Sequence, residues 1–122
     1  MKIIGIDHIQ IAVPPEKENA AIAFYGGTLG LKRLPKPEGT GDVRGAWFIA
    51  GNLQLHVGIQ EGEFRPATKA HPGLVVEDLE AAIATLEKAD VKSKLGNDIH
   101  GFKRFFAEDP AGNRLEFLQK IA

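Results

Sequence analysis

Five polar residues of this chain, His8, Gln54, His56, His71 and Glu116, stand where a repeat puts them. The first half reads His8-Ile9-Gln10-Ile11-Ala12-Val13, then Ala20-Ala21-Ile22-Ala23, then Leu53-Gln54-Leu55-His56. The second reads His71-Pro72-Gly73-Leu74-Val75-Val76, then Ala81-Ala82-Ile83-Ala84, then Leu115-Glu116-Phe117-Leu118. His71 follows His8 by 63 residues, Ala81 follows Ala20 by 61, and Glu116 follows Gln54 by 62. A near-constant offset over three segments marks two copies of one structural unit. Packed together, two such units would bring His8, His71 and Glu116 to one place. Two neutral imidazoles and a carboxylate form a ligand set for a divalent metal ion, with Fe, Mn, Zn, Ni and Co all suited to it. Three protein ligands leave positions open for water or a bidentate substrate. A metal so held would polarise a carbonyl, stabilise an enediolate or activate dioxygen, and the residues do not choose among these.

Each position also has a plainer reading. A lone histidine in a strand is more often structural or exposed than a ligand. Glu116 stands between Leu115 and Phe117 and so faces away from both. Burying it unpaired is costly, which favours a metal or a cationic partner; otherwise this face is solvated. The repeat sets Gln54 opposite Glu116, and His56 lies two residues on, on the same face. Gln54 is a candidate fourth ligand, a hydrogen-bond partner of a bound water, or a wall residue. His56 is a candidate ligand or proton shuttle. The two form the candidate catalytic pair. Strand alternation points Asp7 away from His8, and His100 lies in a loop read as exposed. Arg65, Lys103 and Arg104 are candidates for an anionic substrate, since guanidinium forks match carboxylates and phosphates. Trp47, Phe48, Phe64, Phe102 and Phe106 are candidates for an apolar wall, although strand aromatics are usually core.

The elements that must position these residues are legible in the pattern. Residues 3–13 alternate as a strand ended by Pro14-Pro15. Residues 16–26 read as a helix stopped by Gly26-Gly27. A short strand follows from Leu29 to Leu34, then a polar loop over 35–42. Residues 44–50 and 53–59 read as a hairpin turning at Gly51-Asn52. A connector over 60–70 leads to a strand at 71–77. Asp78 caps a helix on which Leu79, Ala82, Ile83 and Leu86 share a face. Short strands are predicted near 91–95, 102–108 and 114–120, with Asp109-Pro110-Ala111-Gly112-Asn113 as the turn between the last two. Each half therefore reads βαβββ, and the fold class is α+β.

The totals exclude several classes. A chain of 122 residues, 43% hydrophobic and 25% charged, fits one domain with a real core. A net charge near −1 argues against nucleic acid or an anionic membrane as partner. The absence of cysteine removes disulfides, thiolate metal sites and cysteine nucleophiles. No signal sequence opens the chain, and no apolar run approaches a membrane span; a cytoplasmic protein is expected. There is no phosphate-cradling Gly-x-x-x-x-Gly-Lys loop. The single serine, Ser93, lies in no Gly-x-Ser-x-Gly.

This order of residues resembles the vicinal oxygen chelate superfamily, which includes glyoxalases, bleomycin-resistance proteins and extradiol dioxygenases. The resemblance rests on Asp7 to Val13, Ala23-Phe24-Tyr25 followed by Leu29-Gly30-Leu31, His71 to Leu79, and Asp109 to Phe117. It covers essentially the whole chain. It implies a single glyoxalase-like domain, 1–122, with module one at 1–60 and module two at 70–122. The modules would be βαβββ units related by a pseudo-twofold repeat, each a half-open curved sheet with a flanking helix. It implies ligands from the first and fourth strands of each unit, carried here by His8, by Gln54 or His56, by His71 and by Glu116. The function implied is a metal-dependent isomerase, lyase or dioxygenase acting on a small, oxygen-rich, metal-chelating substrate, in a homodimer. The alternative is a non-catalytic drug or metabolite binder of the bleomycin-resistance type. A glyoxalase-like site wants a carboxylate at position 54, and Gln54 departs from that.

Overall fold

The computed structural model describes residues 1–121. The chain divides into two compact units, Met1–Phe64 and Arg65 onward, so the division falls within the expected connector. Each unit holds one four-stranded mixed sheet and one helical segment, in the order βαβββ.

In the first unit the strands are β1 (His8–Val13), β2 (Lys32–Leu34), β3 (Ala46–Ala50) and β4 (Leu53–Ile59). Their order in the sheet is β1-β4-β3-β2. β1 runs parallel to β4, and the other pairs are antiparallel. The strand expected from residue 3 starts only at His8. β4 begins at Leu53, directly after the hairpin turn, so residues 3–6 face no partner strand. Ile3, Ile4 and Ile6 are accordingly exposed.

The helix after β1 is composite. A 3-10 turn at Pro15–Lys17 leads into α1 (Glu18–Ile22), which widens into a π turn over Ala23–Thr28. Gly26-Gly27 therefore does not stop the helix; the wider turn absorbs both residues. A side chain on Gly26 would press on the Phe48 ring, with its Cβ 3.0 Å away, so glycine here permits close approach of helix to sheet. Tyr25, Leu55, Val13, Ala21 and Ala46 are wholly buried, with Phe48 beside them. Burying each large apolar side chain contributes about 1.5–3 kcal/mol. Gly45 opens β3 at φ +79°, where any side chain would run into the Val57 carbonyl. Its N–H donates to the Glu18 carboxylate at 2.8 Å and ties the loop to α1.

The second unit holds β5 (Gly73–Val75), α2 (Leu79–Lys88), β6 (Lys94–Leu95), β7 (Phe102–Glu108) and β8 (Arg114–Lys120), with sheet order β5-β8-β7-β6. The expected strand at 71–77 shrinks to three residues, and His71 lies just outside it. Pro72 has no N–H to offer the ladder, although its carbonyl accepts from Glu116 N at 3.1 Å. Asp78 caps α2 as expected, its Oδ1 accepting from Ala81 N at 3.0 Å. Leu79 and Leu86 fix the buried face of α2. In the turn between β7 and β8, Asp109 Oδ1 accepts from the backbone N–H groups of Ala111 and Asn113. Gly112 adopts φ +89° there. Among the described residues no helix is long and apolar enough to cross a membrane.

Candidate metal and ligand site

Each unit gathers its own share of the candidate residues. In the first, β1 and β4 set His8 opposite Gln54 and Gln10 opposite His56, while β3 sets Trp47 opposite His56. The His56 ring lies 4.2 Å from that of His8 and 3.9 Å from that of Trp47, with interplanar angles of 14° and 3°. Two rings stacked this closely on a third must occupy its opposite faces, so His56 is sandwiched. It is only 3% exposed. Burial, reinforced by the adjacent His8, pulls the His56 pKa below the usual histidine value of 6.5. The ring is therefore held neutral. Its Nε2 meets Gln54 Oε1 at 2.9 Å; an amide oxygen only accepts, so Nε2 carries the hydrogen and Nδ1 keeps a lone pair.

His8 departs from its expected surroundings. Asp7 stands just before β1, where strand alternation does not apply, and its carboxylate lies 2.9 Å from His8 Nδ1. That contact draws the ring hydrogen to Nδ1 and leaves a lone pair on Nε2. Carboxylates commonly orient metal-binding histidines in this manner.

In the second unit His71 and Glu116 meet directly, Nε2 to Oε1, at 2.8 Å. His71 Nδ1 lies 2.8 Å from the Lys69 carbonyl, which can only accept, so Nδ1 is the N–H of that ring. In the neutral imidazole Nε2 then presents a lone pair to a carboxylate oxygen, a repulsive pairing unless a positive species, a proton or a metal ion, lies with them. The donor set fits a metal. Two ligand atoms each about 2.0–2.2 Å from one ion, roughly at right angles, lie roughly 3 Å apart. The other carboxylate oxygen of Glu116 accepts from Arg104 Nη1 at 3.3 Å. Glu116 is buried; Arg104, together with whatever positive species Glu116 shares with His71, answers the cost of burying its charge. Among the described residues, no three His, Cys, Asp or Glu side chains are grouped so as to hold a metal ion.

The repeat pairs residues differently from the sequence offsets. Trp47 faces His56 across β3 and β4, and Phe106 faces Glu116 across β7 and β8. The burial sequence from Gln54 to Ile59 matches that from Arg114 to Gln119 position by position. His56, not Gln54, is therefore the counterpart of Glu116, and Gln54 is the counterpart of Arg114. A slip of one pleat leaves the apolar alternation intact, which is why spacing alone could not tell them apart.

An open cavity of about 600 Å³ adjoins this group in the second unit, with Arg104, Phe106 and Arg114 among its lining residues. Both guanidiniums lie over the Phe106 ring, at 5.0 Å for Arg104 and 4.2 Å for Arg114. The His71 ring meets Phe106 edge-on at 5.9 Å. Arg104 was expected as an anion-binding candidate. Arg114 was missed, although it precedes Glu116 by two residues and so shares its face of the strand. Lys103 is not part of the cavity wall. Phe48 belongs to the core, and His100 is exposed in a turn at φ +47°.

The fold agrees with comparison to known proteins. The family model described as Glyoxalase/Bleomycin resistance protein/Dioxygenase superfamily matches residues 5–117. A crystal structure of a Bacillus anthracis protein named for the glyoxalase family is 38% identical, with TM-score 0.90 over 98% of both chains. The chain thus belongs to the glyoxalase/bleomycin resistance protein/dioxygenase superfamily. The antibiotic binding protein TnmS3 from Streptomyces sp. CB03234 shares the fold at TM-score 0.78 and 20% identity over 98% of both chains. Lactoylglutathione lyase from Agrobacterium tumefaciens shares it at TM-score 0.73 and 17% identity, over 97% of this chain and 95% of that one. No curated protein sequence matches the chain.

Proposed function

We propose that this chain is a metal-dependent enzyme of its superfamily, acting as an isomerase, lyase or dioxygenase on a small, oxygen-rich substrate that chelates the metal. His8, His71 and Glu116 are the proposed ligands of a divalent ion, one of Fe, Mn, Zn, Ni or Co. The observation that carries this reading is the His71–Glu116 pair, an imidazole nitrogen and a carboxylate oxygen 2.8 Å apart with the other ring nitrogen already committed to the Lys69 carbonyl, a spacing that suits a shared proton or a shared metal ion. When bound, the ion would supply Lewis acidity toward the substrate oxygens. The chain's own residues do the rest. The Lys69 carbonyl fixes the orientation of His71, Arg104 holds the second oxygen of Glu116, and Asp7 turns His8. Neutral His56 is the proposed proton relay, accepting at Nδ1 while Gln54 holds Nε2.

The protein is proposed to work in the cytoplasm as a homodimer. β1 and β5 each pair on one side only within their sheets, and bare strand edges are a liability that a second copy would remove. The second reading is a binder without turnover, favoured by the roomy cavity with Phe106 in its wall. Elemental analysis of purified protein, with assays on methylglyoxal–thiol adducts, catechols and fosfomycin, separates the two. Stoichiometric metal and turnover are expected for the enzyme. Absence of metal, with tight binding of an amphipathic ligand, overturns it in favour of the binder.

A further inference from the structure

We infer that the cavity of the second unit binds the oxyanion group of its ligand, a carboxylate or phosphoryl group, on Arg104 and Arg114. This rests on the proposed function only in taking that anion as part of the substrate. The wall carries Lys94, Arg104 and Arg114 against a single carboxylate, Glu108. With Glu116, which Arg104 contacts at 3.3 Å, counted as well, the place holds three cations to two carboxylates in a chain of net charge −1. A concave, low-dielectric wall with an excess of one sign strengthens attraction for the opposite sign. The volume, about 600 Å³, lies within the usual range for small-molecule sites.

The two arginines are held with donors to spare. A guanidinium carries five N–H groups. Arg104 gives Nε to the Asn97 carbonyl at 2.8 Å and Nη1 to Glu116 at 3.3 Å. Arg114 gives Nη1 to the Thr68 carbonyl at a long 3.5 Å, and among the described residues no carboxylate pairs with it. Both groups lie within cation–π distance of the Phe106 ring, which restrains them at little cost because a guanidinium is weakly hydrated and stacks well on a ring. What results is one aromatic ring flanked by two guanidinium groups, Arg104 two positions before it and Arg114 two positions after it along the ladder, each keeping N–H donors of the kind that take an oxyanion in pairs. Arg104 also contacts Glu116, so the anion would be seated beside the proposed metal ligands. A substrate bearing both a chelating oxygen pair and an anionic group would fit both.

The test is a titration of the full chain, in low-chloride buffer with EDTA, by inorganic phosphate, by benzoate and by the neutral isostere benzamide. The backbone amides of Gly96, Asn97 and Phe106 and the arginine Nε–Hε signals are followed by NMR. Saturable shifts with at least one of the two anions, including both Arg104 and Arg114 Nε, and none with benzamide, are expected; which anion binds identifies the group preferred. Arg114→Gln should weaken binding by about tenfold or more, as loss of a charge-assisted contact does, and Arg114→Lys should fall between the two. Equal response to benzoate and benzamide, or arginine signals that do not move in the unaltered protein, overturns the proposal whether or not the variants fold. A parallel Mn(II) and Zn(II) titration without EDTA keeps the readings apart. Metal binding without anion binding sinks this inference alone, and anion binding without metal binding sinks the metal reading alone.

Discussion

At the scale of single residues, the candidate chemistry turns on which ring nitrogen carries a hydrogen. The Lys69 carbonyl decides this for His71, Asp7 for His8 and Gln54 for His56. His71→Ala and Glu116→Ala should each raise the dissociation constant for Mn(II) or Zn(II) by more than about 100-fold, because each removes a proposed direct ligand. Loss of a supporting group costs roughly 10–100-fold. Retained metal affinity in Glu116→Ala, measured by calorimetry, would remove Glu116 from the ligand set. Since His56 holds in β4 the place that Glu116 holds in β8, His56→Ala should cost more metal affinity or turnover than Gln54→Ala. The reverse order would mean that the register correspondence has no bearing on chemistry.

At the scale of elements, two local devices carry separate predictions. The cap on α2 is a single side-chain bond, Asp78 Oδ1 to Ala81 N–H. Asp78→Ala should lower stability by about 1 kcal/mol, read from urea unfolding; a change below a few tenths would show the helix held by Leu79 and Leu86 alone. In the loop before β3, Asp42 is clamped by Arg44. Its Oδ1 accepts from the backbone and Nε of Arg44, and its Oδ2 accepts from Nη2. Lys36 donates to the Asp42 carbonyl, and Arg44 also pairs with Glu61. Hydrogen bonds from Arg44 hold the Asp42 carboxyl at about 2, below its ordinary 3.8. A depressed carboxyl pKa means the unfolded loop binds the proton first. The clamp's contribution is therefore complete above the ordinary value and fades as pH falls toward 2. The Asp42 carboxyl carbon, followed by NMR between pH 1.5 and 5, should titrate near 2. A midpoint near 3.8 would mean that the clamp is open in solution.

At the scale of the whole molecule, the predicted homodimer follows from the one-sided pairing of β1 and β5 and from the exposed apolar residues Ile3, Ile4 and Ile6. Sedimentation velocity at tens of micromolar should show a species of twice the chain mass. A monodisperse monomer at that concentration would leave those edges and side chains without the cover proposed for them.

The sequence by itself determined the repeat, the βαβββ order, the hairpin at Gly51-Asn52, the Asp78 cap and the turn at Asp109–Asn113. Each is a local matter, written in alternation, in turn chemistry or in one side chain reaching its own backbone. It also singled out His8, His56, His71 and Glu116, because polar residues in apolar strands are expensive enough to stand out. The tertiary structure decided what depends on partners distant in the chain. β1 starts at His8 because β4 has only just begun there, and Pro72 cuts β5 short beside β8. Gly26-Gly27 continues a helix because Phe48 lies against it. Above all, register decided that His56, rather than Gln54, matches Glu116, and that Arg114 joins Arg104 over Phe106. A strand repeats every two residues, so its sequence looks the same after a slip of one pleat. Only the strand paired beside it fixes which residue stands where.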